Sequence, residues 1–412
     1  MQSLARDGYT EEEVKKVLHG AYGSRVVKFR YDLLNRDETK KGELERVVGA
    51  SVSMSALSTI KRTAKFTLEE EKVNTLEYYE WSGFGDKKWN DLGANLGFSR
   101  WNEAYTTSSG LVDKIDWLND RIQPFVMFQM PDGGWIEFSM GIFILSTPTR
   151  KDSNGYVTRE IEAYDGLVVL QQDKFTDRWT VKAGTTYEAA VANILKSAGI
   201  TKYNLQFTGN TKLPLDKEFA MGTSKLDAIG ELLDAKNNTP LWVDAYGYYN
   251  TSPYQAPNSK GYSYTYETND LSVIYDGISE EFDIFDTPNS WVVTLSNPES
   301  TPLTSRIENN NVDSPTSIPN RGRRIVDYRE VQDISSQADL DAYTQRIAFE
   351  ASQVYGKVKF STPIMPFHEY ADVIRFVYNP LEVDNVFSET GWSIDMSAGG
   401  TMTHEVRRVV EI

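Results

Sequence analysis

Thr10-x-x-Glu13 has the spacing of a capping box, and Val14, Val17 and Leu18 behind it fall on one face. That pattern predicts a short amphipathic helix over 10–18. The period then changes from helical to alternating. Val27, Phe29, Tyr31 and Leu33 alternate across 26–34 and predict a strand. Residues 47–54 and 61–68 repeat the theme, the latter with Ala64, Phe66 and Leu68 on one face, while 35–46 is a polar connection. The stretch 70–117 is rich in Gly, Trp, Asn and Tyr with weak periodicity and is an irregular insertion. Order returns at Arg121, where two strand-like runs flank Pro131-Asp132-Gly133-Gly134, a turn in which Gly supplies positive φ without steric cost. Asp152-Ser153-Asn154-Gly155 makes a second turn before a strand read over VTREIEAYDGLVVL. Residues 24–180 thus predict a twisted, largely antiparallel sheet closing towards a barrel.

Helical spacing resumes after 181. Thr185-x-x-Glu188 opens a helix with Ala190, Val191, Ile194, Leu195 and Ala198 inward, ended by Gly199. A second helix, about 224–236, places Leu226, Ile229, Leu232 and Leu233 on one face, with a short strand, NLQFTG, between the two. Strand signals follow at LWVDAYGYY, GYSYTYE, SVIYDG, SWVVTLS and HEVRRVVEI; 296–323 is a Ser, Thr, Pro and Asn-rich loop, and a helix spans about 336–352. The expected fold is mainly β with an α+β insert. Its parts are an N-terminal arm (1–23), a barrel-like β domain (24–180), a small α/β domain (181–240) and a second barrel-like β domain (241–412).

Composition narrows the function. A chain of 412 residues is long enough for two to four domains. No cysteine is present, which excludes disulfides, thiolate metal sites and a Cys nucleophile. A net charge of −16 argues against gathering phosphates, so sequence-specific nucleic-acid binding is not expected. Neither a signal peptide nor the ~18 consecutive apolar residues of a membrane span is found. Tyrosine, at 23 residues, suits half-buried strands and interfaces.

Candidate chemistry is thin. His19, His368 and His404 are scattered, with no His-Glu-x-x-His spacing, and are read as separate surface or partly buried residues, not metal ligands. Glu69-Glu70-Glu71 and the group Glu280, Glu281, Asp283 and Asp286 offer paired carboxylates of the kind a glycoside hydrolase or a calcium site uses. In so acidic a chain they read first as solvated faces. No phosphate-binding glycine motif and no Gly-x-Ser-x-Gly elbow occurs. Arg321-Gly322-Arg323-Arg324 is a basic spot in an acidic field; Arg321, Arg323 and Arg324 are candidate inter-subunit contacts, a solvated turn being the alternative. Tyr246, Tyr248, Tyr249, Tyr254, Tyr262, Tyr264 and Tyr266 suit sugar stacking, a partner interface or ordinary strand packing.

The order of several segments adds a further expectation. LNDRIQPFVMFQMPDGGWIEFSMGIFILSTPTR at 118–150 resembles the hub and minor tail proteins of long-tailed phages and related contractile tail devices. The likeness continues through REIEAYDGLVVLQQDKF, AGTTYEAAVANILKSAGI, WVVTLSNPESTPLTSRIENNNVDSPTSIPNRGRRI and LDAYTQRIAFEASQVYGKVKFSTPIMP. The resemblance implies two barrel-like tube domains per subunit and a homotrimer forming a pseudo-six-fold ring at the tail tip or baseplate of a virion. It further implies partners: a distal tail or tail tube protein, a spike, fibre or tail-tip protein, and the tape measure protein in the channel. It brings no catalytic residue and no cofactor. Two alternatives stand beside it, a carbohydrate-binding or glycoside-hydrolysing protein and the spike-carrier of a contractile injection device.

Overall fold

A computed structural model of the chain describes residues 1–70, 115–153, 156–282, 285–296, 302–331, 334, 336–352 and 356–408. Helix α1 (Glu11–Leu18) carries the expected capping box and buries Val14, Val17 and Leu18. The first β half holds β1 (Val27–Leu34), β2 (Lys40–Glu43), β3 (Val47–Ser55), β4 (Arg62–Glu70), β5 (Arg121–Gln129), β6 (Trp135–Ser139), β7 (Phe143–Leu145), β8 (Thr149–Ser153) and β9 (Tyr156–Tyr164). A middle layer follows with α2 (Leu167–Gln172), β10 (Trp179–Val181), α3 (Tyr187–Ser197), β11 (Tyr203–Leu205), β12 (Lys217–Phe219), α4 (Lys225–Asp234), β13 (Trp242–Val243) and β14 (Tyr249–Thr251). The last part contains β15 (Tyr264–Glu267), β16 (Ser279–Phe282), β17 (Ser290–Leu295), β18 (Thr304–Glu308), β19 (Val326–Val331), α5 (Gln337–Ser352), β20 (Gly356–Pro363), β21 (Val373–Tyr378), β22 (Val383–Asp395) and β23 (Thr401–Arg408). The fold is mainly β with an α+β insert, as the sequence predicts.

Both β halves belong to one 15-stranded sheet, ordered β16-β20-β23-β22-β3-β4-β9-β7-β5-β1-β2, with β15, β21, β6 and β8 branching from it. The join is β22. It pairs antiparallel with β23 along most of its length and with β21 through Val383–Ser388, and its last residues, Gly391–Asp395, pair with Ser55–Ser51 of β3. A β-bulge between Glu389 and Gly391 lets one strand serve all three partners. A Cβ at Gly391 would lie 3.1 Å from the Met54 carbonyl oxygen, so glycine permits this close approach. Alternation along β4 buries Arg62, Ala64, Phe66, Leu68 and Glu70, and the inner faces of both halves share one core running from Leu4 to Val406. A second core, from Leu167 to Tyr249, belongs to the middle layer. A third packs β17, β18 and β19 against α5 around Trp291, Leu340 and Ile347.

Several local expectations are revised. LVVL does not extend the strand before it. Asp165 accepts from the Arg62 and Leu167 amides, which ends β9, and Leu167 and Leu170, three apart, bury one face of α2. The cap of α3 is Thr186 rather than Thr185, its hydroxyl accepting from the Ala189 amide. LWVDAYGYY is two short strands around a turn in which Asp244 accepts from the amides of Tyr246 and Tyr248, with Gly247 at φ +83. Both strands pair within the middle layer, which therefore draws on more of the chain than its helices reveal. SVIYDG forms no strand; the strand forms at Ser279–Phe282 instead. The turn at 154–155 and the insertion from 71 to 114 lie outside the described residues.

Arg62 locks the join from inside. Its guanidinium, fully buried, pairs with Glu369 of the second half and donates to the Met140 carbonyl at 2.8 Å, and its charge lies 5.4 Å from the ring of Trp392 in β22. Removing one partner of a buried pair strands the other charge in a dry interior. Arg62→Met is therefore expected to cost about 3–5 kcal/mol in denaturant unfolding. Arg62→Met combined with Glu369→Gln should recover part of that loss, which a double-mutant cycle measures.

Candidate functional site

The second β half closes over a set of polar side chains that sequence spacing does not connect. Glu389 leaves the bulge of β22, His404 comes from β23, Thr362 from β20, Tyr266 from β15 and His368 from the loop after β20; all five are buried. The Glu389 carboxylate bridges the two rings, with His368 Nδ1 at 2.6 Å from Oε2 and His404 Nδ1 at 2.7 Å from Oε1. The outer nitrogens are also engaged. His368 Nε2 lies 2.7 Å from the Tyr266 hydroxyl, and His404 Nε2 lies 3.0 Å from Thr362 Oγ1. An ionised carboxylate only accepts, so each Nδ1–H donates to it and each Nε2 of a neutral ring accepts from a hydroxyl. Thr362 Oγ1 is also 2.8 Å from the Pro363 carbonyl oxygen, so its single proton has a second acceptor once the ring is protonated. Phe360 stacks on His404 at 4.6 Å and Phe367 on His368 at 4.7 Å, completing an aromatic jacket.

The electrostatics follow from this enclosure. Burial opposes ionisation of Glu389, yet His368 and His404 together outweigh it and hold the carboxyl at about 2. Burial pushes His404 below its ordinary value, against the pull of Glu389. Nearby, burial raises Asp165 to about 6, and it pushes Glu369 up against the pull of Arg62. Asp372 accepts from the Glu369 amide at 2.8 Å and from the Met1 ammonium at 2.6 Å, which ties the N-terminal arm to the same loop.

Among the described residues, His368, Glu389 and His404 are the one group of three whose donor types suit a metal, with ligand atoms within 4.8 Å of one another. Ligands around a tetrahedral zinc sit roughly 3.3 Å apart at bond lengths near 2.0 Å. Here the nitrogens instead aim at the carboxylate itself, and every ring nitrogen has a partner. The arrangement stores a bridged charge in the core. The two buried histidines thus correct the view of them as separate, partly exposed residues. His404 was traceable, since it shares an inward face with Met402 and Val406. His368 and Glu389, in a loop and at a bulge, carry no such signal. His19 is half-buried, 2.5 Å from the Tyr264 hydroxyl and 2.9 Å from the Leu271 carbonyl oxygen.

The other candidates separate. Arg321 donates to the carbonyls of Thr287 and Phe285, Arg323 lies 5.3 Å from the Phe285 ring, and Arg324 pairs with Glu308 at 3.2 Å. Each arginine has a partner within the chain. Glu70 is buried between Arg150 and Arg159, Glu280 and Glu281 lie on β16, Asp286 is exposed, and Glu71 and Asp283 fall outside the described residues. Tyr249, Tyr264 and Tyr266 are core residues, whereas Tyr246, Tyr248 and Tyr262 are exposed.

No protein-family profile matches the chain, and no curated protein does either. Solved structures do. A tail protein from Neisseria meningitidis MC58 superposes over 92% of this chain and 96% of its own, with TM-score 0.59 and 11% identity. The 43 kDa tail protein of prophage MuSo2 from Shewanella oneidensis matches over 92% and 98%, with TM-score 0.56 and 8% identity. A chain of the Francisella PdpA–VgrG complex matches 94% of this chain and 53% of its own, with TM-score 0.50 and 8% identity. The chain has the fold of phage tail proteins, in line with the resemblance carried by its segments.

The cluster makes a pH prediction. Glu389 is held below its ordinary 4.5, so its stabilising contribution is full above 4.5 and is lost as pH falls towards 2. His404 is held below its ordinary 6.5, so the unfolded chain takes up that proton first and stability also declines below 6.5. Asp165, raised from 3.8 to about 6, acts oppositely between those values. Wild-type unfolding free energy should therefore drop steeply below pH 4.5. Glu389→Leu should cost about 3–5 kcal/mol at neutral pH and flatten that acid limb in urea titrations across pH.

Proposed function

We propose that this chain is a non-enzymatic structural subunit of a phage-type tail, working as the hub of a tail tip or baseplate within the virion. One observation carries the reading: tail proteins of two bacteria share its fold from end to end, over 96% and 98% of their own lengths. The buried cluster supports it, since Glu389, His368 and His404 face one another instead of a substrate. In the finer form of the proposal, three copies form a pseudo-six-fold ring of tube-like domains. The ring joins a distal tail or tail tube protein to a spike, fibre or tail-tip protein and surrounds the tape measure protein. A net charge of −16 suits such a channel wall, because like charge keeps DNA from adhering.

A second reading, the spike-carrier of a contractile injection device, is favoured by the likeness to a chain of the PdpA–VgrG complex. Light scattering after size exclusion tests the shared claim. The purified chain, alone or with neighbouring tail proteins, is expected to give three times the chain mass, and electron micrographs should show rings. A strict monomer at high concentration in both conditions would overturn it. Assembly with a capsid-bearing particle separates the phage reading from the injection device.

A further inference from the structure

A cavity of about 420 Å³ opens where the β3–β4 loop, the middle layer and the second β half meet. Its walls combine features that a chain this acidic has no structural reason to bring together. Lys61 is nine-tenths buried there; its ammonium donates to the carbonyls of Ala56 at 2.8 Å and Ser58 at 2.6 Å, and no carboxylate lies within ion-pair reach among the described residues. Arg407 lines the same space half-buried, its guanidinium without a hydrogen bond or ion pair among the described residues, and burial pushes that guanidinium down. Lys260 stands at the rim as a third cation.

The two carboxylates of the lining make no close ion pair with them among the described residues, although Glu350 attracts Lys61 from a distance. Glu350 faces Arg346 at 3.8 Å, and Glu389 is turned to its histidines. The side chain of Tyr254 adds to the lining, while its hydroxyl is buried away from solvent. Beside it Trp242 stacks on Tyr370 at 5.4 Å and 16°, giving the cavity a flat aromatic wall. Buried polar groups in native proteins have partners, and an unpaired buried cation is costly. One anionic ligand would bring both cations the close counter-charge they lack.

We infer that this cavity binds a small oxyanion ligand, a carboxylate or phosphate ester on a ring-sized body. The oxyanion sits against Lys61 and Arg407, and the ring lies along Trp242 and Tyr370. The size agrees, since pockets of roughly 300–1,000 Å³ hold small molecules. The inference is independent of the tail assignment and of oligomeric state.

Isothermal titration of the full chain with inorganic phosphate, glucuronate, glucose 6-phosphate, glucose and N-acetyl-Phe-Glu tests it. At least one ring-bearing anion should bind one per chain and more tightly than inorganic phosphate, while glucose does not bind. Preference for the sugar acids would identify a glycan source; preference for the peptide would identify an acidic segment of a protein. Arg407→Gln should weaken binding about tenfold or more, and Trp242→Leu should weaken it less, both with unchanged circular dichroism. Absence of binding at millimolar concentration, equal affinity for phosphate, or wild-type affinity in both folded variants would overturn the inference.

Discussion

The fold depends on the pairing of β22 with β3. Without those five residue pairs, Gly391–Asp395 against Ser55–Ser51, the β halves would be two open sheets, each with an exposed apolar face. With them, a single core extends across the join. The geometry demands compromises on β22. Its bulge leaves Thr390 out of register beside Glu389, Gly391 makes room for the Met54 carbonyl, and Trp392 sends its indole N–H 3.2 Å to the Glu369 carbonyl. Glu369 in turn holds Arg62 of β4. The hydrogen-bonded seam and the buried ion pair therefore fix the same contact from two directions.

A join of this kind invites slippage, because backbone hydrogen bonds are blind to register. Side chains supply the register here. A shift of β22 by one residue would turn Glu389 away from both histidines and place a charge among apolar rings. Buried ionic groups seldom add net stability over an apolar replacement, but misplacing one is costly. The Glu389 cluster and the Arg62–Glu369 pair act mainly against wrong arrangements. The middle layer and the α5 layer have their own apolar cores and need no such device at their centres.

Much of this was legible in the sequence wherever one face is wet. Alternation revealed β1, β3, β4 and the β5–β6 hairpin, and helical spacing revealed α1, α3, α4 and α5. The central strand was not legible. In VDNVFSETGWSID Phe387, Ser388, Glu389, Gly391 and Trp392 are buried with little regard to alternation, and Ser, Glu, Thr and Gly stand where a strand usually shows Val or Ile. Its burial comes from partners on several sides and a bulge, both non-local facts. The same holds for the histidines. Of three histidines lone in sequence, two become members of one cluster only when β20, β22, β23 and the loop after β20 come together. The segment order carrying the likeness to tail proteins survived because it tracks the hairpins and helices, which are local.

The open ends of the sheet explain the charges that first suggested chemistry. The main path of the sheet ends at β16 and β2, each four residues long and each with a single strand neighbour among the described residues. Glu280 and Glu281 lie on β16, and Lys40 and Lys41 on β2. Short, charged terminal strands discourage indiscriminate pairing of free backbone groups between chains. Seen in place, Glu280 and Glu281 do not gather around a reaction centre: among the described residues β16 pairs only with β20, and Glu281 meets Lys357 across that pair at 4.0 Å. A protein with so much apolar surface committed to one sheet needs its edges closed to chance contacts if any assembly it enters is to be specific. Here Glu280 and Glu281, which look reactive in sequence, guard the edge.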